Sequence, residues 1–254
     1  MLFPFKALIE VGHCLKLVAL GWFSCPWLCL ARKNRLFRLP IKSGSKMDAS
    51  HFDNWAENYD DDVRESNLAE SYPFAGYERV LDRIAGFVLA EPVGKMLDLG
   101  TGSGTLASRF YDAGWKISAV DFSEEMLKQA RESMPEARFL IADFAKELPK
   151  ELDGQKFDFI VMTYAFHHLD YDKQANFLRS LLPYLTENGK ILIGNISFET
   201  KKDFEKAKLQ SGGEWDDEEF YPIVEELQTQ LSDLHFEHEV VSFCATVMRI
   251  GLKV

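Results

Sequence analysis

Short apolar runs and amphipathic segments alternate along most of the chain. The apolar runs predict strands at 95–99, 116–120, 137–141, 157–162 and 190–196, and two more strands between 235 and 253. Between the strands, apolar residues recur every three or four positions, which is typical of helices that bury one face. Strands and helices that alternate with short connections predict an α/β fold, with a mainly parallel sheet and helices on both of its faces.

The predicted helices differ in how clear their apolar face is. They lie at 50–62, 75–90, 106–113, from 124 onward, 172–184 and over most of 200–230. The helix at 75–90 has the clearest apolar face, formed by Tyr77, Val80, Leu81, Ile84 and Val88. Ser123 is placed to cap the helix that follows it. Asn188-Gly189 predicts a turn before the fifth strand.

Composition and charge exclude several classes of protein. The chain has 254 residues, is 46% hydrophobic and 27% charged, and carries a formal net charge of -11. These values are typical of a globular protein that buries a full core. Four cysteines are too few for a secreted disulfide framework. Because an acidic surface repels a phosphate backbone, the sequence predicts no nucleic-acid partner.

The first 46 residues differ from the rest of the chain. They hold eight Lys or Arg against one Glu, a charge of +7, whereas the remainder holds 21 basic against 39 acidic residues, or -18. We therefore divide the chain into an extension at 1–46 and a domain at 47–254. The apolar run at 17–31 is short for a membrane span, which needs about 20 residues. The extension is interpreted either as translation upstream of a start at Met47 or as a weak membrane anchor.

The strongest candidate site is a glycine loop that follows the first strand. The motif runs Asp98-Leu-Gly-Thr-Gly-Ser-Gly104, and Asp121 ends the second strand. Glycines between a strand and a helix let the backbone approach a ligand closely. A carboxylate at the end of the second strand can accept hydrogen bonds from both hydroxyls of a ribose. Taken together, the loop and Asp121 predict a nucleoside site beyond the carboxyl ends of the strands, although either feature alone is also typical of an empty turn.

Two departures from the dinucleotide fingerprint indicate which nucleoside is bound. The final glycine of Gly-x-Gly-x-x-Gly is replaced by Thr105, and Asp98 stands two residues before the first glycine. A carboxylate there is unfavourable beside a pyrophosphate but favourable beside an ammonium or sulfonium group. The pattern therefore favours S-adenosylmethionine (SAM) as the cofactor over a nicotinamide dinucleotide.

With these motifs the chain resembles the class I SAM-dependent methyltransferases, in particular the small-molecule type that includes quinone-biosynthesis enzymes. The resemblance covers about residues 48–252. The matching motifs lie at 98–104, 119–123 with Met126, 142–144, 157–169 and 185–190. Residues 52–60 resemble the short entry helix that closes over the cofactor. The resemblance implies a Rossmann-like, doubly wound, mostly parallel seven-stranded sheet with an antiparallel last strand.

The resemblance also implies roles for residues of the glycine loop and the second strand. Gly100, Thr101 and Gly102 bring the main chain to the methionine part of the cofactor. Asp98 lies near its ammonium group, and Asp121 holds its ribose.

The adenine end of the cofactor is assigned in the same way. Phe122 and Met126 enclose the adenine ring, although core packing explains Met126 equally well. Asp143 accepts from the exocyclic amine, and the amide of Phe144 reaches a ring nitrogen. Tyr59 covers the methionine end, unless it is only a surface residue of its helix.

Candidate acceptor-side residues follow the fourth strand. His167 and His168 are candidate bases, because histidine titrates near neutral pH, and Tyr164 is a further candidate. A helix cap or a filled cavity is the alternative role for either histidine. Residues 199–222 are interpreted either as a lid over the acceptor or as a solvated helix. No cluster of His, Cys and Asp has the spacing of metal ligands, so the sequence predicts no metal site.

The expected activity is methyl transfer from SAM to a small molecule by a cytoplasmic monomer or homodimer. Thr163-Tyr164-Ala165-Phe166 lacks the Asn/Asp-Pro-Pro-Tyr/Phe pattern of adenine or glutamine methylation. It also lacks the Pro-Cys of cytosine C5 methylation. A membrane contact is expected only through residues 1–46. A non-catalytic SAM-binding module and a nicotinamide-dependent oxidoreductase are the alternative hypotheses.

Overall fold

The computed structural model describes residues 59–253, with side chains from residue 63 onward. Within this range the helices are α1 (Tyr59–Leu68), α2 (Tyr77–Leu89), α3 (Ala107–Asp112), α4 (Glu124–Ser133), α5 (Tyr171–Leu181), α6 (Lys201–Ser211) and α7 (Val224–Gln230). The strands are β1 (Lys95–Leu99), β2 (Lys116–Asp121), β3 (Arg138–Ile141), β4 (Phe157–Thr163), β5 (Leu185–Ile196), β6 (His235–Ser242) and β7 (Ala245–Gly251). The predictions for residues 1–46 and the first part of the helix predicted at 50–62 lie outside the described residues.

The seven strands of the described range form one sheet in the order β3-β2-β1-β4-β5-β7-β6. The pairs β1–β2, β2–β3, β1–β4 and β4–β5 are parallel, whereas β7 runs antiparallel to both β5 and β6. The predicted seven-stranded Rossmann-like sheet with an antiparallel last strand is therefore confirmed. Because the chain moves outward from β1 to β3 and then returns to β4 on the other side, the switch point lies between β1 and β4. Ligands bind at this point in open α/β sheets.

Helix α2 shows how the amphipathic pattern becomes packing. Its predicted face is buried at Val80, Leu81, Ile84 and Val88. Tyr77, at the first residue of the helix, is only half-buried. A Cβ at Gly194, near the carboxyl end of β5, would lie 2.3 Å from Val80 Cγ1. The absence of a side chain at Gly194 therefore lets α2 pack closely against the sheet.

Of two local sequence predictions, the turn at Asn188-Gly189 was wrong, and the mostly helical stretch at 200–230 is confirmed with an interruption. Strand β5 begins at Leu185, not after a turn at Asn188-Gly189. The extra residues are accommodated by a shift in register, because Phe157 pairs with Leu185 whereas Phe159 pairs with Lys190. The stretch predicted as mostly helical at 200–230 forms α6 and α7, with a short 3₁₀ turn and an irregular segment between them.

None of the helices between residues 59 and 253 combines the length and the apolar composition that crossing a bilayer requires.

Candidate active site

The glycine loop lies directly after β1 at the switch point. Gly100 and Gly102 have φ values of 75° and 55°, in the left-handed region that favours glycine. The Gly100 N–H donates to the Val120 carbonyl at 2.8 Å, which joins the loop to β2. A Cβ at Gly100 would lie 2.5 Å from the Ala165 Cβ, whereas a Cβ at Gly102 would meet nothing within 4 Å. The loop is therefore packed on the β4 side and open at Gly102.

Asp98 presents a buried carboxylate beneath this loop. Its residue is 2% exposed, and its Oδ2 accepts a hydrogen bond from Thr101 Oγ1 at 2.7 Å. Its Oδ1 is buried and has no hydrogen-bond partner among the described residues. Burial raises the pKa of Asp98 to about 7. Since an unpaired buried carboxylate oxygen costs about 1–3 kcal/mol, the site suits a ligand that brings a positive charge.

Asp121 ties the loop to the start of α4. Its Oδ2 accepts from the Gly102 N–H and its Oδ1 from the Ser123 N–H, both at 2.9 Å. Burial raises its pKa, and these backbone hydrogen bonds reduce the shift. Each carboxylate oxygen has two lone-pair directions, so these bonds leave acceptor capacity for a ligand. The carboxylate thus organises the loop in addition to being a candidate ribose ligand.

The predicted adenine-side residues lie along the same edge but in different environments. Phe122 is half-buried, whereas Met126 is 4% exposed within the core. The Phe144 ring lies against the glycine loop, since its Cε1 would be 3.4 Å from a Cβ at Gly100. Asp143 pairs with Lys146 Nζ at 2.8 Å, so an adenine amine would compete with a lysine for its carboxylate.

Two further predictions concern the entrance of the site and β4. Tyr59 is the first residue of α1, and its side chain lies outside the described part of the chain. Tyr164 follows β4 with a φ of 52°, an uncommon value for a residue with a side chain. Its N–H donates to the Gly194 carbonyl at 2.8 Å. Its ring lies 4.9 Å from that of Tyr77. Tyr164 is therefore held at the carboxyl end of β4 by backbone and ring contacts.

His167 lies on a 3₁₀ turn after β4 and is 6% exposed. Its Nδ1 is 2.9 Å from Asn195 Oδ1, and Asn195 Nδ2 donates to the Ile196 carbonyl. Because the Asn195 oxygen can only accept, we assign the His167 proton to Nδ1, which leaves the lone pair on Nε2. Burial and the neighbouring His168 lower the pKa of His167 to about 4, so its ring is neutral near pH 7.

His168 is paired with a carboxylate that we did not predict as a site residue. Its Nδ1 lies 2.9 and 3.1 Å from the two carboxylate oxygens of Glu219, whose side chain is 8% exposed. Burial alone would lower the pKa of His168, but the charge and hydrogen bond of Glu219 outweigh it and raise the pKa. The charge of Asp121 also acts on His168, which places this residue within electrostatic range of the cofactor side.

An acidic and aromatic segment covers the turn that carries His167 and His168. The Phe220 N–H donates to the His167 carbonyl at 2.9 Å, and Gln174 Nε2 donates to the Phe220 carbonyl at 2.7 Å. Tyr221 is 2% exposed, and its hydroxyl lies 2.5 Å from that of Tyr72. The Trp215 ring stacks on Tyr72 at 5.2 Å. Residues 212–223, hereafter the cover segment, are therefore docked on the site through specific contacts.

The structure brings Glu219 next to two histidines that are adjacent in sequence, and the three residues are potential metal ligands. His167, His168 and Glu219 each offer one ligand atom, and these atoms all lie within 4.8 Å of one another. The prediction of no metal site considered ligand spacing along the chain. Glu219 lies 51 residues from His168 in the sequence, so the cluster forms only when the cover segment is docked.

These features define an α/β protein with a candidate ligand site at the switch point of its sheet, and comparison with known proteins specifies its class. A methyltransferase-domain family model matches residues 96–189. An uncharacterised methyltransferase of Staphylococcus carnosus is 32% identical over 179 residues, which cover 70% of this chain and 80% of that protein. One of Bacillus licheniformis is 29% identical over 192 residues, covering 73% and 87%. The chain belongs to this methyltransferase family.

Solved structures share the fold. A DhpI–SAM–HEP complex is 17% identical, covers 83% of this chain and 99% of that chain, and has a TM-score of 0.60. Magnesium protoporphyrin IX methyltransferase from Synechocystis PCC 6803, with bound S-adenosylhomocysteine (SAH), is 14% identical and covers 81% and 100%, with a TM-score of 0.59. At this level of identity the similarity establishes the fold and not the substrate.

Proposed function

We propose that this protein transfers a methyl group from SAM to a small-molecule acceptor and releases SAH. The observation that carries the proposal is the buried carboxylate of Asp98, whose Oδ1 has no hydrogen-bond partner in the described range. It lies beneath a loop that is open at Gly102. An ammonium group would satisfy this carboxylate, whereas a pyrophosphate would be repelled by it. Structural neighbours that carry SAM or SAH support the same cofactor.

In this proposal each site residue contacts a different part of the cofactor. Asp98 pairs with the ammonium group, and Asp121 accepts from the ribose hydroxyls through its remaining lone pairs. The backbone of Thr101 and Gly102 approaches the methionine part, where a side chain at Gly102 is absent. Phe122, Met126, Asp143 and Phe144 form the adenine side, and Tyr59 covers the methionine end. The cofactor supplies an electrophilic methyl group on a sulfonium, which is already a good leaving group.

The acceptor side has the task of positioning and activating a nucleophile. Displacement at a methyl carbon requires the acceptor atom in line with the breaking bond, so positioning supplies much of the rate. We assign acceptor activation to Tyr164, His167 and His168, which lie at the carboxyl end of β4 beside the cofactor edge. The docked cover segment favours a small acceptor, because its aromatic side chains are packed over this end of the sheet.

Calorimetric titration of the full chain with SAM tests cofactor binding. We expect binding at one molecule per chain, and Asp121→Ala should weaken it by at least about 1 kcal/mol through lost hydrogen bonds to a carboxylate. Asp112→Asn, an exposed aspartate on α3, is the control and should leave the affinity unchanged. An unchanged affinity in Asp121→Ala, or a larger thermal shift with a nicotinamide dinucleotide, would contradict the assignment.

Transfer is tested by following a labelled methyl group from SAM into a fractionated metabolite extract. The expected result is label in a small molecule together with stoichiometric SAH. Binding of SAM with no label in any fraction and no SAH would favour a non-catalytic SAM-binding module.

A further inference from the structure

The cluster of His167, His168 and Glu219, hereafter the triad, has a composition that acceptor activation alone does not explain. Its two imidazoles lie on the turn after β4, and the carboxylate arrives from the cover segment. His167 is 6% exposed as a residue, and the Glu219 side chain is 8% exposed. A carboxylate so nearly excluded from water is normally paired or coordinates a metal.

The distances among the donors are compatible with a shared cation. The Asn195 side-chain oxygen accepts a hydrogen bond from His167 Nδ1 at 2.9 Å. The lone pair is then on Nε2, the nitrogen that could bind a metal. A polar partner on the other ring nitrogen is the usual arrangement of a metal-bound histidine. His168 Nδ1 lies 2.9 Å and 3.1 Å from the Glu219 oxygens. Two ligands bound at about 2.0–2.2 Å in a tetrahedral arrangement lie roughly 3.4 Å apart. The observed pair is therefore within about 0.5 Å of the spacing of adjacent ligands of one ion.

The charge around the triad favours a cation. Asp121 from β2 and Asp216 from the cover segment both act electrostatically on His168. Glu219 supplies a further negative charge within the cluster itself.

We propose that the triad binds one divalent first-row transition ion, with Zn²⁺ as the reference, through two imidazole nitrogens and the Glu219 carboxylate. Two histidines and one carboxylate form a ligand set of catalytic metal sites, in which a further position stays open. The open position would receive the acceptor. The acceptor class that follows is a hydroxyl or thiol, because a divalent ion lowers the pKa of such a group when it coordinates the oxygen or sulfur.

This consequence for the acceptor rests on the proposed methyl transfer. The X–H bond of the coordinated acceptor breaks, and its proton passes to water. The freed lone pair forms the bond to the methyl carbon while the methyl–sulfur bond breaks, leaving its electron pair on sulfur. Charge balances, since the sulfonium becomes a neutral thioether and one proton is released. The two imidazoles activate the acceptor as ligands, without taking up its proton.

The test is a titration of the chelator-treated full chain with ZnCl₂ by calorimetry, with Co²⁺ absorption as a report on coordination. We expect one ion per chain, micromolar affinity or better, and visible Co²⁺ bands. Glu219→Gln and, as a second variant, His168→Gln should each weaken Zn²⁺ binding at least tenfold. Glu218→Gln, the exposed neighbour of Glu219, is the matched control and should stay within twofold of the parent chain.

Binding that is absent, or equally strong in Glu219→Gln and the parent chain, would overturn the metal site. Persistent binding that is lost in His238→Gln would assign it to the exposed His238–Glu199 pair instead. Each variant is also titrated with SAM and melted thermally, so that a misfolded variant is recognised and replaced by the other. Absence of Zn²⁺ binding in the parent chain, with SAM binding and transfer intact, removes only the metal site, whereas absence of SAM binding in the parent chain removes the proposed function.

Discussion

The cofactor side and the acceptor side of the proposed site are built in different ways. The cofactor side consists of backbone amides and two aspartates at the ends of neighbouring strands, joined by bonds such as Gly102 N–H to Asp121. The acceptor side is formed by side chains from distant parts of the chain, such as His168 and Glu219. A site formed by a loop and two adjacent strands can be recognised as a motif in the sequence. A site formed by side-chain docking becomes visible only when the cover segment is in place.

The largest expected effect is a loss of stability on the acceptor side that leaves SAM binding on the cofactor side unchanged. Tyr221→Ala removes a fully buried ring of the cover segment and should lower the free energy of unfolding by about 3–5 kcal/mol. The SAM affinity of the folded fraction should stay within twofold, because Tyr221 lies on the acceptor side. Urea denaturation and calorimetry measure the two quantities. Tyr171→Ala, at a residue that is 46% exposed, is the control, and an equal loss of stability in both variants would contradict the docked cover.

The next effect concerns the cofactor side alone. Asp98→Asn keeps an oxygen for Thr101 but removes the charge, so SAM should bind about 10- to 100-fold more weakly, equivalent to about 1.5–3 kcal/mol. The free energy of unfolding without ligand should not fall, since a buried charge is removed. Calorimetry and urea denaturation provide both numbers, with Asp112→Asn as the control. Unchanged SAM affinity in Asp98→Asn would remove the ammonium site from Asp98.

A pH titration examines the same carboxylate without mutation. Because the pKa of Asp98 is about 7 in the unliganded protein, SAM affinity should fall about tenfold from pH 7.5 to pH 6 as the carboxylate becomes protonated. Stability without ligand follows the opposite direction. The folded state holds the Asp98 proton up to higher pH than the unfolded chain, so this residue's contribution declines as pH rises from about 4 to 7.

Calorimetry at each pH measures the affinity, and Asp98→Asn is the control that should lose most of the dependence. A pH dependence of equal size in that variant would assign it to another group.

The smallest effect compares two helix caps, one on each side of the site. Ser123 Oγ accepts from the Met126 N–H at the start of α4, and Thr200 Oγ1 accepts from the Asp203 N–H at the start of α6. Ser123→Ala and Thr200→Ala should each cost about 1 kcal/mol of stability, the usual value of such a cap. Only Ser123→Ala should also weaken SAM binding, because loss of the cap loosens the first turn of α4 and with it the Ser123 N–H that donates to Asp121. Equal SAM affinities in the two variants would contradict this separation.

The hydrophobic pattern was sufficient for the order and type of most elements. The apolar face of α2 and the short strands were predicted close to their observed bounds, because the burial of one face repeats with the period of the element. The turn predicted at Asn188-Gly189 was wrong, since pairing of β5 with β4 absorbs these residues as a shift in register. The turn preference of these two residues was outweighed by the pairing of β5 with β4. No pattern in the sequence predicts that pairing.

The site residues show the same division. The glycine loop, Asp98 and Asp121 are close in the sequence, and the parallel pairing of β1 with β2 brings their ends together. Their predicted contacts with SAM remain proposals. Asn195 and Glu219 were not predicted as site residues, because an isolated Asn on a strand and one Glu among many acids carry no motif. Only their distances to His167 and His168 identify them.

The sequence by itself determined the class of fold, the family and the position of the glycine loop, because these follow from periodic burial and from a backbone motif that is continuous along the chain. Tertiary structure alone decided which acidic side chain meets the histidines, which tautomer His167 adopts and how the cover segment is docked. Those outcomes depend on side chains brought together from distant elements, and their hydrogen bonds exist only after the sheet has formed and the segment has packed against it.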